Sequence, residues 1–318
     1  MKTKNNFNNM GKVAIIGTGF VGSSIAYALM MDGVASEIAL IDKDKSIAQG
    51  HALDLTHCVQ FTKTTKIVAG DSFELVKDAK IVVLSAGLGQ KPGQTRAELL
   101  EKNVSIFKQI IPQVVKYNKD CILLVVTNPL DVMTYVAYKL SGFAPCRVFG
   151  SGTVLDTARL RYMLGEHFGI SPKDITAYIL GEHGDSQFVW WSKASVAGIC
   201  LPNISNDPKS FFEQIHQDVK NAVYEVIKRK GATYFAIALI ITKIVRAILQ
   251  NQLRVFTVST VLQNYQGISN VCLSVPTVIR ATGICRHLPV DLDEDEKKIF
   301  NACVQKIKEG ITQAEKII

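Results

Sequence analysis

The sequence has no Cys-x-x-Cys pair, no long apolar run, no internal repeat and no low-complexity block. Its seven cysteines, at 58, 121, 146, 200, 272, 285 and 303, are an odd and scattered set. That excludes a zinc ribbon or a dithiol redox motif, and no metal site is expected. Such cysteines fit small buried apolar residues in a reducing compartment. The most apolar stretch, Ala232 to Val245, already holds Lys243 and is too short to span a bilayer. Residues Met1 to Gly11 are polar and Asn-rich with no apolar segment, which predicts a short loose tail and not a secretory signal. The expectation is a cytoplasmic protein with no membrane partner. The 36 basic and 28 acidic side chains leave +8, a mild excess that suits anionic small molecules. No basic stripe extends beyond Lys228-Arg229-Lys230, which reads as a solvated helix face, so no nucleic-acid partner is expected.

What is present is a packed globular composition. Hydrophobic residues make up 47%, enough to bury a sizeable core. A length of 318 residues is about twice that of a usual domain, so two lobes are expected. In the first half, apolar runs alternate with helix-length segments: Lys12–Ile16, Glu37–Ile41, Lys66–Ala69, Ile81–Ala86, Cys121–Thr127 and Arg147–Gly150. Continuous β-branched runs such as Ile81-Val82-Val83-Leu84 fit strands covered on both faces, and the alternation predicts a doubly wound parallel Rossmann sheet. The pattern changes near Ser151. After it come a helix over Thr153–His167, short strands at Thr176–Leu180 and Val271–Pro276, a long helical stretch over Pro208–Gln250, and a helical tail from Asp291. The expected division is a dinucleotide-binding domain over 1–150 and an α+β substrate and catalytic domain over 151–318.

The first chemical motif is Gly17-Thr18-Gly19-Phe20-Val21-Gly22, which follows the first strand and opens a helix. Gly17 permits the tight turn, Gly19 lets backbone approach a pyrophosphate, and Gly22 lets helix and strand pack closely. The helix N-terminus offers N–H groups and a positive dipole end to the phosphates. Asp42, twenty positions after Gly22 and at the end of the next strand, can accept both ribose hydroxyls and repels a 2′-phosphate, so NAD is favoured over NADP.

Three further segments carry unusual residues for their setting. Gln90-Lys91-Pro92-Gly93-Gln94-Thr95-Arg96 follows a strand and reads as a closing lid. Asp156-Thr157-Ala158-Arg159 puts an acid and a guanidinium three apart on one helix face. Gly181-Glu182-His183-Gly184-Asp185 sets a histidine between glycines just after a strand. With Thr127-Asn128-Pro129-Leu130-Asp131, Gly150-Ser151-Gly152-Thr153 and Lys230-Gly231-Ala232-Thr233 also in order, the chain resembles the bacterial L-lactate branch of the lactate/malate dehydrogenase family from about Lys12 to its C-terminal helix.

That resemblance implies reversible hydride transfer between NADH and pyruvate, giving L-lactate. It assigns His183 as acid/base, Asp156 as the group fixing its tautomer, Arg159 as the clamp on the substrate carboxylate, and Arg96 as the lid residue polarising the carbonyl. Asn128 and Thr233 would orient substrate and nicotinamide. Gly17, Gly19, Phe20, Val21, Gly22, Asp42, Ala86, Gly87, Ser105, Val126, Asn128 and Ser151 would hold the cofactor. Gln90 stands where malate enzymes of the family carry an arginine. A neutral amide leaves a second carboxylate unpaired, so pyruvate is expected over oxaloacetate. Other 2-hydroxy acids, branched-chain ones included, and a non-catalytic NAD-sensing role are the alternatives. The resemblance also implies self-association, at least a dimer and as a rule a homotetramer. Fructose 1,6-bisphosphate would meet Arg161 but find Thr176 where a histidine is expected, so activation is expected to be weak or absent.

Overall fold

A computed structural model describes residues 10–89, 95–204 and 207–318, without the side chains of Arg96 and Pro202. The first half builds six strands and four helices. They are β1 (Lys12–Ile16), α1 (Phe20–Asp32), β2 (Glu37–Ile41), α2 (Lys45–Cys58), β3 (Lys66–Gly70), β4 (Ala79–Leu84), α3 (Arg96–Tyr117), β5 (Ile122–Val125), α4 (Leu130–Ser141) and β6 (Val148–Gly150). The second half runs α5 (Val154–Phe168), β7 (Ile175–Thr176), β8 (Ile179–Leu180), β9 (Phe188–Val189), β10 (Ser195–Val196), β11 (Ile199–Cys200), α6 (Lys209–Lys230), α7 (Phe235–Leu249), β12 (Arg254–Leu262), β13 (Val271–Arg280), β14 (Gly283–His287) and α8 (Glu294–Glu315).

Strands β3-β2-β1-β4-β5-β6 form a parallel sheet in that order, the Rossmann arrangement expected from the alternation. Side chains alternate between its faces. Val13, Ile15, Ile38, Leu40, Ile81 and Val83 pack with α1 and α7 on one side. Ala14, Ile16, Val82, Leu84, Leu123 and Val125 pack with α3, α4 and α8 on the other. Burial on both faces is what the unbroken apolar runs required.

Two features depart from the sequence expectation. The sheet does not stop at β6: β12 pairs antiparallel with it, and β13 and β14 extend the sheet to nine strands. The extended run before Val271, β12, carries no flanking pattern that separates it from a buried helix segment, so only pairing reveals it. Second, Pro208–Gln250 is not one helix. Gly231, at φ 83°, ends α6, and the chain turns through Ala232–Tyr234 before α7. A third, smaller core of Leu160, Leu164, Ile175, Ile179, Val189 and Val219 belongs to the second half alone.

Candidate active site

Strand order reverses between β1 and β4, and the glycine turn follows β1 at the carboxyl ends of the parallel strands. Gly17 adopts φ 93°, and a Cβ on it would meet the Ala86 backbone at 2.5 Å. A Cβ on Gly22 would lie 1.9 Å from the Gly17 carbonyl oxygen, so the first turn of α1 packs on the strand only without a side chain. Around Gly19, by contrast, a Cβ would find nothing within 4 Å. Gly19 also caps α1 with no side-chain hydrogen bond, so the helix presents its first N–H groups beside open space. That is the cradle a pyrophosphate needs, and it fits a dinucleotide.

Asp42 stands at the end of β2. Its carboxylate accepts from the Thr18 N–H (2.7 Å), the Thr18 hydroxyl (3.0 Å) and the Asp44 N–H (3.1 Å). Burial pushes the carboxyl upward, but these donors outweigh it and hold Asp42 below the usual aspartate range. The glycine turn and Asp42 are therefore a single hydrogen-bonded unit. Ala86 and Gly87 follow β4, Val126 and Asn128 follow β5, and Ser151 follows β6, all on the same edge. Ser105 lies on α3, exposed, with its hydroxyl donating to the Glu101 carbonyl.

His183 lies in the loop that follows β8. Its loop is stitched to β13 by the Gly181 N–H to Ser274 (3.0 Å) and the return bond from Ser274 (2.9 Å). His183 Nδ1 is 2.7 Å from an Asp156 oxygen, and the other Asp156 oxygen accepts from Arg159 Nη1 at 2.8 Å. Asp156 lies in the first turn of α5, where the helix dipole favours a negative charge. That helix start is fixed in turn. Thr153 N–H donates to Thr257 (3.0 Å) and to the Ser274 hydroxyl (3.1 Å), and the Thr157 hydroxyl accepts from the Ile179 N–H (3.0 Å).

Exposure of these side chains is 25% for His183, 4% for Asp156 and 17% for Arg159, so the imidazole and the guanidinium are partly open while the carboxylate between them is buried. Burial pulls His183 down. The Asp156 charge and hydrogen bond outweigh it, with Asp131 adding and Arg159 opposing, so the imidazole sits above the usual histidine range. Asp156, pushed up by burial, is held below the usual range by His183 and Arg159. The arrangement favours an imidazolium whose Nε2 points away from its carboxylate partner.

Thr233, half-buried in the turn between α6 and α7, is brought to the glycine turn because its neighbour Tyr234 stacks on Phe20 with centroids 5.4 Å apart. Gln90 lies outside the described residues, and Arg96 is described only as the first residue of α3. The roots of that segment are built. Thr95 and Glu98 form a capping box at the start of α3. Buried Asn103 accepts from the Leu88 N–H (2.8 Å) and donates to the Asn128 carbonyl (2.7 Å).

Three residues escaped the sequence reading: Asn103, Asp131 and Ser259. Asp131, buried in the first turn of α4, accepts from the His183 N–H (2.8 Å) and the Ser259 hydroxyl (2.6 Å). An acid inside the otherwise apolar run Leu130-Asp131-Val132-Met133 was the available signal, since a buried carboxylate needs partners.

Comparisons with known proteins identify the family. Residues 11–150 match the family model described as lactate/malate dehydrogenase, NAD binding domain, and residues 153–318 match its alpha/beta C-terminal domain. The chain is 46% identical over 311 residues to an L-lactate dehydrogenase of Clostridium botulinum, covering 96% of this chain and 98% of the relative. It is 46% identical over 305 residues to L-lactate dehydrogenase 1 of Clostridium acetobutylicum, covering 94% and 97%. Among solved structures, a lactate dehydrogenase from a Medee basin deep-sea metagenome library superposes with a TM-score of 0.92 at 38% identity, covering 96% of this chain and 99% of that one. The minor L-lactate dehydrogenase of Enterococcus mundtii, in a ligand-bound form, gives 0.92 at 37% identity, with 96% and 98% covered. With a Rossmann half that is an NAD-binding domain and a C-terminal half that matches in turn, this chain belongs to the lactate/malate dehydrogenase family.

Proposed function

We propose that the chain catalyses reversible hydride transfer between NADH and pyruvate, giving L-lactate. The observation that carries this reading is the Arg159–Asp156–His183 chain, with bonds of 2.8 and 2.7 Å. Residues 1–150 would serve the dinucleotide and 151–318 the substrate. When bound, the nicotinamide supplies or takes the hydride. Gly17, Gly19, Phe20, Val21 and Gly22 would seat the pyrophosphate, Asp42 the ribose, and Ala86, Gly87, Ser105, Val126, Asn128 and Ser151 the rest of the cofactor.

The chain's own residues account for the proton and the carboxylate. His183 donates its Nε2 proton to the carbonyl oxygen during reduction and accepts it from the alcohol during oxidation. Asp156, bonded to Nδ1, fixes the tautomer and stabilises the imidazolium. Arg159 spends one Nη1 contact on Asp156, and the remaining fork is matched to the planar carboxylate of a 2-keto acid. Arg96 would polarise the carbonyl, Asn128 and Thr233 would orient the reactants, and Gln90 would disfavour a second carboxylate.

Regulation and assembly follow the same reading. Arg161 already donates from Nε to the Ala177 carbonyl (2.9 Å) and stacks over Tyr178, while Thr176 brings no charge. Fructose 1,6-bisphosphate is therefore a weak activator at most. Exposed Phe20, Tyr27 and Met31 on α1 and Phe235 and Leu239 on α7 support burial between subunits of a homo-oligomer, a tetramer in this reading. Seven free cysteines support a reducing compartment, the cytoplasm. Among the described residues no helix is long and apolar enough to cross a membrane.

The test is NADH oxidation with pyruvate, oxaloacetate and a branched 2-keto acid in parallel, each with and without fructose 1,6-bisphosphate. Fast turnover of pyruvate alone is expected. Preference for oxaloacetate would refute the role of Gln90. Tight NADH binding without turnover of any keto acid would favour the sensor alternative.

A further inference from the structure

Behind the imidazole–carboxylate pair lies a second buried carboxylate, contributed by the other half of the chain. Asp131 begins α4, directly after the β5 edge that carries Asn128, and is only 2% exposed. One of its oxygens accepts the main-chain N–H of His183 at 2.8 Å, and the other accepts the Ser259 hydroxyl of β12 at 2.6 Å. Other ties on the same loop come from the second half: Gly181 to Ser274 of β13, Glu182 to Lys306 of α8 at 2.6 Å, and Cys303 of α8 to the Ser186 carbonyl at 2.8 Å. Asp131 instead ties the nucleotide half to the histidine itself.

A buried carboxylate is costly unless its bonds require its charge. Packing alone would be served by an asparagine of the same shape, or by a leucine in a helix whose neighbours are Leu130, Val132 and Met133. We propose that Asp131 is a positioning residue for His183: it fixes the main chain of the acid/base to the cofactor half and supplies a second negative charge behind the imidazole. The inference rests on His183 being the acid/base.

The surroundings limit what else could supply that charge. Asp156 and Arg159 of α5 face the imidazole, and Asp131 of α4 stands behind it. Around Asp131 lie Ser259 of β12, Glu182 of the loop, Cys272 of β13 and Cys303 of α8. Glu182 is already paired with Lys306, and both cysteines are held neutral by burial. Among the described residues the cationic partner of Asp131 is His183, so its field falls on the imidazole. Burial pushes the Asp131 carboxyl up to about 6, against the bonds from Ser259 and the His183 main chain. Its ionisation is thereby coupled to that of the imidazole, the anion being favoured when His183 is protonated.

Asp131→Asn separates charge from shape. The amide oxygen can still accept the His183 N–H, so the fold is expected to persist, with a Tm and NADH affinity close to wild type. The test is the pH dependence of kcat/KM for pyruvate reduction, beside an NMR titration of the imidazole in the full chain, with the His183 signal assigned by its loss in His183→Ala. The expected result is a fall of about half to one pH unit in the pKa of His183 and in the alkaline limb of the profile together. Where Asp131→Asn does not fold, Ser259→Ala keeps the carboxylate and removes one bond that holds it ionised, and a smaller shift in the same direction is expected.

An unshifted His183 titration with activity lowered equally at all pH values would overturn the proposal and leave Asp131 as packing. So would wild-type activity at every pH. If the wild type turns over no 2-keto acid, the proposed function has failed, and the NMR titration still decides whether Asp131 acts on the imidazole.

Discussion

Replacing Asp156 by asparagine tests the core of the mechanism most sharply. Two unit charges roughly 4 Å apart attract by about 4 kcal/mol at an effective dielectric of about 20. His183 is a quarter exposed, so water screens part of this. Halving it leaves ~2 kcal/mol, or about a thirtyfold change in the protonation constant of the imidazole. A second consequence has the same sign. Arg159 loses its carboxylate, and an unpaired guanidinium near the imidazole disfavours a further positive charge. The alkaline limb of kcat/KM for pyruvate reduction should therefore move down by about 1.5 pH units, with reduction above that limb slowed about thirtyfold or more. Lactate oxidation, which needs the neutral imidazole, should stay active to lower pH. Stopped-flow NADH absorbance across the pH range in both directions measures this. A limb that does not move while turnover falls uniformly would refute the electrostatic role and leave Asp156 as a structural brace.

His183→Ala should lose pyruvate turnover by at least about a hundredfold while NADH fluorescence titration shows unchanged binding, since proton transfer contributes roughly two to four orders of magnitude. Arg159→Lys should mainly raise KM for pyruvate, because a single ammonium cannot make the two-pronged bond, and steady-state kinetics would expose an unchanged KM. Gly22→Ala, whose Cβ would lie 1.9 Å from the Gly17 oxygen, should cost about 1–3 kcal/mol in urea unfolding and weaken NADH binding. The His183–Asp156 pair also gives stability a pH window. His183 is raised above 6.5, so its contribution is full below that value and lost as pH rises through the folded pKa. Asp156 is lowered below 3.8, so its contribution is present above that value and lost as pH falls through the folded pKa. The Tm difference between wild type and His183→Ala should therefore be greatest at mildly acidic pH and shrink in alkaline buffer.

Periodicity and glycine spacing are local properties, and they sufficed for what is local. The unbroken apolar runs of β1, β4 and β5 could only be strands covered on both faces, and Gly17-x-Gly19-x-x-Gly22 followed by Asp42 could be placed at one strand edge without coordinates. The candidates Asp156, Arg159 and His183 were singled out from local spacing, an acid and a guanidinium three apart and a histidine set between glycines, and from the family resemblance. What no local pattern contains is pairing at long range. The antiparallel seam of β12 with β6 joins residues over a hundred positions apart, and it makes the two halves share one sheet. The break of the Pro208–Gln250 stretch at Gly231, which carries Thr233 to the glycine turn, depends on where α7 packs against α1. In sequence Asp131 stands out only as an acid inside an apolar run, with no partner in sight. Only the approach of the His183 main chain and the Ser259 hydroxyl, from segments 52 and 128 residues away, makes its buried charge tenable and turns it toward the acid/base.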